Sequence, residues 1–174
     1  FAKNNSNSLE LIKNKISNIV PISLPKNYPF EVFDIILRAE AGAFFDDFLR
    51  THRDSLMVEQ GKRSRANSLR QARLIPAVEY IQANRHRSNL INEINLLFEN
   101  YDIIISPSFG KNQLLISNLT GHPAISVPNG FDNKNTPTSI TFLANHYKED
   151  VLLSFVNLIQ KETSYHLKKP PLFY

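Results

Sequence analysis

Cysteine and tryptophan are absent from this 174-residue chain, methionine occurs once and glycine five times. The lack of cysteine excludes disulfides, thiolate metal sites and cysteine nucleophiles, and it fits a reducing, cytoplasmic setting. The glycines, at 42, 61, 110, 121 and 130, are too scattered for a phosphate-cradling loop or a dinucleotide fingerprint. No Gly-x-Ser-x-Gly elbow occurs. The histidines, at 52, 86, 122, 146 and 166, never pair at metal-ligand spacing, so no metal or cofactor is expected. No apolar run approaches the ~18 residues of a membrane span, so no membrane partner is expected. Residues 1–8 are polar, unlike the apolar segment of a signal peptide. Phe1 stands where an initiator methionine is usual, which suggests a start inside a longer reading frame, after processing or at an engineered boundary. Residues 168–174, Lys-Lys-Pro-Pro-Leu-Phe-Tyr, read like a natural tail.

What is present describes an ordinary globular chain. Hydrophobic residues make up 42% and charged residues 21%, and a domain of this size buries roughly 70% of its unfolded surface. Twelve phenylalanines suggest a core of Phe, Ile and Leu. The net charge of +4 is modest. It attracts anions weakly, and a nucleic-acid partner is not expected from it alone.

Periodicity gives the order of elements. Leu9, Ile12 and Ile16 share a helix face over roughly 6–16. Residues 19–24 alternate like a strand, and Pro21 favours a sheet edge. Phe30, Phe33, Leu37, Ala41, Phe44 and Phe48 follow at three- and four-residue steps, a buried helix face beginning near Pro29. Residues 51–72 read as an exposed basic loop leading into a helix. Pro76 kinks or restarts that helix, and Val78, Ile81, Leu90, Ile91, Ile94, Leu97 and Phe98 carry its stripe to about residue 99. Residues 102–106 form a β-branched run of the kind buried on both faces. Residues 124–127 and 138–143 are two more strands, with a turn at 132–135 between them. Val151, Leu152, Phe155, Val156 and Ile159 mark the core face of a last helix. The class is α/β in a single domain, residues 1–174.

Chemistry-bearing residues are sparse. Arg63, Arg65, Arg70, Arg73, Arg85 and Arg87 form the densest charge feature. They read either as a solvated face pairing with Glu79 and Glu93 or as contacts to a carboxylate or an RNA backbone. Asn118-Leu119-Thr120-Gly121 reads either as a plain turn entering a strand or as a loop whose backbone approaches a ligand. His122, before Pro123, reads as structural or exposed rather than catalytic.

Several segments resemble one family in one order. Arg73-Leu74-Ile75-Pro76 with Tyr80, Ala83 and Arg85 resembles the Arg-x-x-Pro…Tyr-x-x-Ala-x-Arg helix of the amidase signature family. Residues 35–41, with Glu40, resemble the helix after its catalytic region. Residues 102–108 resemble its Asp-Val-Leu-x-x-Pro-Thr strand. Residues 118–130 resemble its Asn-x-x-Gly-x-Pro-Ala-x-x-Val-Pro-x-Gly element, and residues 151–160 its closing helix. The likeness extends to the catalytic subunits of aspartyl/glutamyl-tRNA amidotransferases and covers nearly the whole chain from about residue 9.

The resemblance implies α/β/α layers around a mixed sheet, of which this chain is the C-terminal part. The family hydrolyses carboxamides with a Lys–Ser–Ser triad and a Gly/Ser-rich oxyanion loop. Those parts lie N-terminal to the matched region, and no Gly-Gly-Ser-Ser-Gly-like segment occurs here. No catalytic residue is therefore assigned. The implied role is scaffold and one wall of a substrate pocket, with Asn118, Thr120, Gly121, Tyr80 and Arg85 as candidates. A chain inactive alone, a small-molecule amide substrate for the parent protein and a homo-oligomer formed through exposed sheet edges are the resulting expectations. A non-catalytic interaction or RNA-binding module using residues 62–87 is the alternative. Two departures favour a generic amidase over a glutaminase. Thr136-Pro137-Thr138 replaces a glycine-rich strand, and Lys111-Asn112-Gln113 lacks the family's substrate-gripping acid.

Overall fold

The computed structural model describes residues 2–16, 18–110 and 112–168. Two compact units emerge. One comprises Phe1–Pro25 and Ile91–Tyr174, the other Lys26–Leu90. Helix α5 (Ala77–Phe98) contributes residues to both.

The first unit is built on a three-stranded antiparallel sheet in the order β1-β3-β2. Its strands are β1 (Ile103–Pro107), β2 (Ala124–Phe131) and β3 (Pro137–Ala144). The mixed character implied by the resemblance is not reached by these three strands. The period of two sorts the side chains. Ile140, Phe142 and Ala144 of β3 and Val127 of β2 face a core with Ile12 of α1 (Ala2–Lys15) and Leu152, Val156 and Ile159 of α7 (Glu149–Gln160). Phe142 is wholly buried, worth about 1.5–3 kcal/mol over an exposed ring. Glu149 and Asp150 in the first turn of α7 complement its dipole.

The turn at 132–135 forms as expected. Asp132 Oδ1 accepts from the Lys134 and Thr136 amides at 2.8 and 2.9 Å, and these bonds hold its carboxyl below the usual range. β1 stands at the sheet edge. Ile104 is buried on one face, while Ile103 and Ile105 are half-buried on the other. The run at 19–24 is not a strand. Residues 18–25 carry no regular structure and no backbone–backbone hydrogen bond among the described residues. Pro21 has no N–H to donate, and among the described residues β1 pairs only with β3.

The polar start of the chain becomes structural. Asn4 Nδ2 donates to Phe131 O at 3.0 Å and Thr138 Oγ1 at 2.8 Å. The Thr138 hydroxyl donates to Asn129 Oδ1 at 2.7 Å, and Asn129 Nδ2 donates to Asn5 Oδ1 at 2.9 Å. This closed chain ties α1 to the β2–β3 hairpin, with Asn129 and Thr138 buried. Gly130 permits the approach: its φ is +140°, and a Cβ there would lie 2.8 Å from Asn4 Nδ2.

In the second unit, α2 (Asp34–Phe44) and α3 (Asp46–Arg50) are separated at Phe45. The single buried stripe expected from Phe30 to Phe48 is therefore broken. Phe33, Ile36 and Leu49 are buried, while Leu37 is 60% and Phe44 81% exposed. Phe30 sits in a turn before the helix, so a 3.6-residue count carried across both breaks drifts off the core face. The loop after α3 is fastened by a buried Asp54. Its carboxylate accepts from Arg70 Nε at 2.6 Å, and Gln60 bridges Arg70 and the Asp54 carbonyl. Arg70 lies on α4 (Arg65–Ala72), which Ser64 caps by accepting from the Asn67 amide at 3.2 Å. Pro76 precedes α5, as its ring geometry favours. Val78 and Ile81 near the start of α5 are exposed, whereas Leu90, Ile94 and Phe98 are buried.

Candidate functional site

The pocket candidates fall into both units. Asn118, Thr120 and Gly121 belong to the first, Tyr80 and Arg85 to the second. The expected turn at 118–121 is instead the end of helix α6 (Gln113–Thr120). Gln113, Ile116, Ser117 and Thr120 share its buried face at helical spacing. Gly121 ends the helix at φ +75° and donates its amide to Ser117 O at 3.0 Å, a left-handed cap. The helix signal was present in Leu114-Leu115-Ile116 followed by Leu119 and then glycine. The polar Asn118 and Thr120 masked it. Asn118 lies exposed on the outer face, without a side-chain hydrogen bond among the described residues.

Thr120 is the centre of a buried polar cluster. Its hydroxyl lies 2.8 Å from Ile116 O and 2.9 Å from His122 Nδ1. His122 Nε2 faces Asn95 Oδ1 at 3.1 Å. His146 Nε2 donates to Thr120 O at 2.9 Å, which fixes its tautomer because a carbonyl only accepts. The His122 and His146 rings stack with centroids 3.8 Å apart, and Phe98 covers the other face of His122 at 5.0 Å. Burial, and then the charge of His146, lower the His122 pKa to about 4. His122 is thus a neutral structural ring at physiological pH, as its position before Pro123 suggested. It joins α5, the end of α6 and the segment after β3.

A second polar feature escaped the sequence reading. On the sheet face opposite the α1–α7 core, Thr141 of β3 stands in register with Ser106 of β1 and Ser126 of β2. Its hydroxyl bonds Ser108 Oγ at 2.8 Å and Ser126 Oγ at 2.6 Å. Only the strand register brings these residues together. Their side-chain partners among the described residues are one another and backbone, so none is a serine activated by an adjacent base.

In the second unit, Tyr80 is half-buried and donates to Glu40 Oε1 at 3.3 Å. It lines an open cleft of about 390 Å³ with Ala39, Gly42, Asp46, Ala72 and Arg73. Arg85 is exposed, with no ion pair among the described residues. Within the basic set, Arg70 pairs with Asp54, Arg73 with Asp46 and Arg87 with Glu40. The expected partner Glu79 takes part in none of these. This partial neutralisation leaves the RNA-binding reading of residues 62–87 without support. Lys111, in the region that departs from the family's acid, lies outside the described residues, and so do residues 169–174 of the expected tail. Among the described residues no helix is long and apolar enough to cross a membrane.

Comparison with known proteins places this geometry. No protein-family model matches the chain. It is 30% identical over 108 residues to the A-type subunit of the glutamyl-tRNA(Gln) amidotransferase of Acinetobacter baylyi, covering 52% of this chain and 22% of that protein. The corresponding Listeria monocytogenes protein is 30% identical over 112 residues, 53% of this chain and 23% of that protein. The chain therefore spans about a fifth of the length of these relatives. Among solved structures, 6-aminohexanoate cyclic dimer hydrolase superposes with a TM-score of 0.73 at 13% identity, over 99% of this chain and 43% of that one. Kluyveromyces lactis allophanate hydrolase superposes with a TM-score of 0.68 at 20% identity, over 95% and 29%. Sequence similarity over half the chain and a shared fold over nearly all of it lead to one statement: this chain is similar in sequence to amidotransferase A-type subunits and shares its fold with these hydrolases.

Proposed function

We propose that the chain is the C-terminal, non-catalytic part of an amidase, supplying scaffold and a wall of the pocket that holds a carboxamide substrate. The observation that carries this is the likeness to the amidotransferase proteins in a sequence without a Gly/Ser-rich oxyanion segment. The hydroxyls brought together on the sheet bond each other and have no basic partner among their hydrogen bonds. A serine in that setting keeps its proton and attacks amides poorly. Thr120 spends its hydroxyl and carbonyl on His122 and His146, so its contribution is to hold the pocket wall. In the first unit Asn118 offers substrate an exposed amide without a side-chain hydrogen bond among the described residues, and Arg85 of the second is exposed without an ion pair among them. Tyr80 offers its phenol beside Glu40.

The purified chain is incubated with aliphatic and aryl amides, and ammonia release is followed beside labelling by a fluorophosphonate serine probe. No release and no labelling are expected. Turnover with a labelled serine inside the chain would overturn the reading.

A further inference from the structure

The sequence holds one Asn-Gly pair, Asn129-Gly130, and the fold places it at a break in the sheet. Pro128 stands opposite Ser139 and Gly130 opposite Thr138, so Asn129 is the extra residue of a β-bulge in β2. Its side chain is buried against α1 and held at both ends. Oδ1 accepts from the Thr138 hydroxyl at 2.7 Å, and Nδ2 donates to Asn5 Oδ1 at 2.9 Å. An asparagine before glycine is a chemically weak point. Glycine has no Cβ to shield its nitrogen, so in a flexible chain that nitrogen readily reaches the preceding side-chain carbonyl carbon.

We propose that Asn129-Gly130 is a deamidation site kept latent by the first turn of α1. In the reaction the Gly130 nitrogen bonds Asn129 Cγ, its proton passes to Nδ2, and the Cγ–Nδ2 bond breaks to release ammonia. Water then opens the cyclic imide at one of its two carbonyls, leaving aspartate or isoaspartate; nothing is oxidised or reduced. Ring closure swings Cγ over its own main chain, which breaks both hydrogen bonds together. The restraint is local, because Asn5 lies in the first turn of α1 and helix ends open at the lowest free energy. The reaction also removes its own restraint. A carboxylate has no proton for Asn5 Oδ1, and two facing acceptors are costly to keep buried. Isoaspartate further lengthens the main chain of β2 and shifts Gly130 from its register with Thr138. Deamidation thus releases the first turn of α1 from the hairpin irreversibly.

The test incubates the whole chain at mildly alkaline pH beside a capped peptide of residues 126–132. Ammonia release, peptide mass spectrometry and isoaspartyl-specific methylation follow the reaction. The folded chain is expected to react at least about tenfold more slowly than the peptide, and Asn5→Ala about fivefold or more faster than the parent chain. Circular dichroism checks the fold; where Asn5→Ala does not fold, urea below the unfolding midpoint opens the first turn in the parent chain and should raise its rate likewise. Asn129→Asp reproduces one product at once, and amides in the second turn of α1 should exchange about tenfold faster in it while β3 stays protected. A folded chain reacting at the peptide's rate, an opened α1 that leaves the rate unchanged, or unaltered α1 exchange in Asn129→Asp would overturn the proposal.

Discussion

Acidification acts on this fold through His122. The folded ring holds a pKa of about 4, lowered by burial and by the facing His146, against about 6.5 in an unfolded chain. The unfolded state therefore takes up a proton as pH falls below 6.5, and the folded state does not until pH nears 4. Stability from the neutral ring is complete above pH 6.5, falls as pH drops from 6.5 to 4, and levels out below. At about 1.36 kcal/mol per pH unit, the interval is worth at most about 3 kcal/mol. The perturbation is His122→Gln, whose amide can bond Thr120 or Asn95 without titrating. Urea midpoints are measured for both proteins from pH 7.5 to 4. Carboxylates common to both cancel in the difference, so the parent should lose about 2–3 kcal/mol more than the variant across this window. Proton NMR of the His122 ring should show no titration above pH 5. Parallel stability curves, or a ring titrating near 6.5, would refute the reasoning.

Three further substitutions test the packing. Gly130→Ala should destabilise by about 2 kcal/mol or more, because the φ of +140° and the approach of Asn4 both oppose a Cβ; thermal melting measures it. Asn129→Ala removes an acceptor and a donor from the α1–hairpin network, leaving the Thr138 hydroxyl proton without its acceptor, and should cost about 1–3 kcal/mol with faster amide exchange in α1. Arg70→Leu should cost about 2 kcal/mol, since it strands the buried Asp54 carboxylate; the double variant with Asp54→Asn should recover part of that loss.

Much of the element order was legible in the residues. The helices at 6–16 and 151–160, the restart at Pro76 and the β2–β3 hairpin with its Asp132 turn all follow from local periodicity and turn chemistry. Where local signals conflicted, the reading failed. Residues 19–24 alternate like a strand, yet a strand exists only when a neighbour accepts its hydrogen bonds. The aromatic stripe from Phe30 to Phe48 has helical spacing, but breaks at both ends of α2 turn Leu37 and Phe44 outward. Residues 113–120 carry a helical apolar pattern that Asn118 and Thr120 disguised as a loop.

The candidate site divides along the same line. The sequence by itself determined that no cysteine chemistry, nucleophile elbow or serine-rich oxyanion loop is available in this chain, because residue types absent from a sequence cannot be supplied by folding. It also singled out Thr120 and Gly121, since a glycine after polar residues marks a chain reversal. Only the tertiary structure decided that Thr120 holds two stacked histidines 24 residues apart, that Thr141 links Ser126 of β2 to Ser108 just past β1, and that Asn4 and Asn5 fasten the hairpin more than 120 positions away. Contacts of that separation depend on strand register and helix docking, and these are settled by the whole chain's burial rather than by any local run of residues.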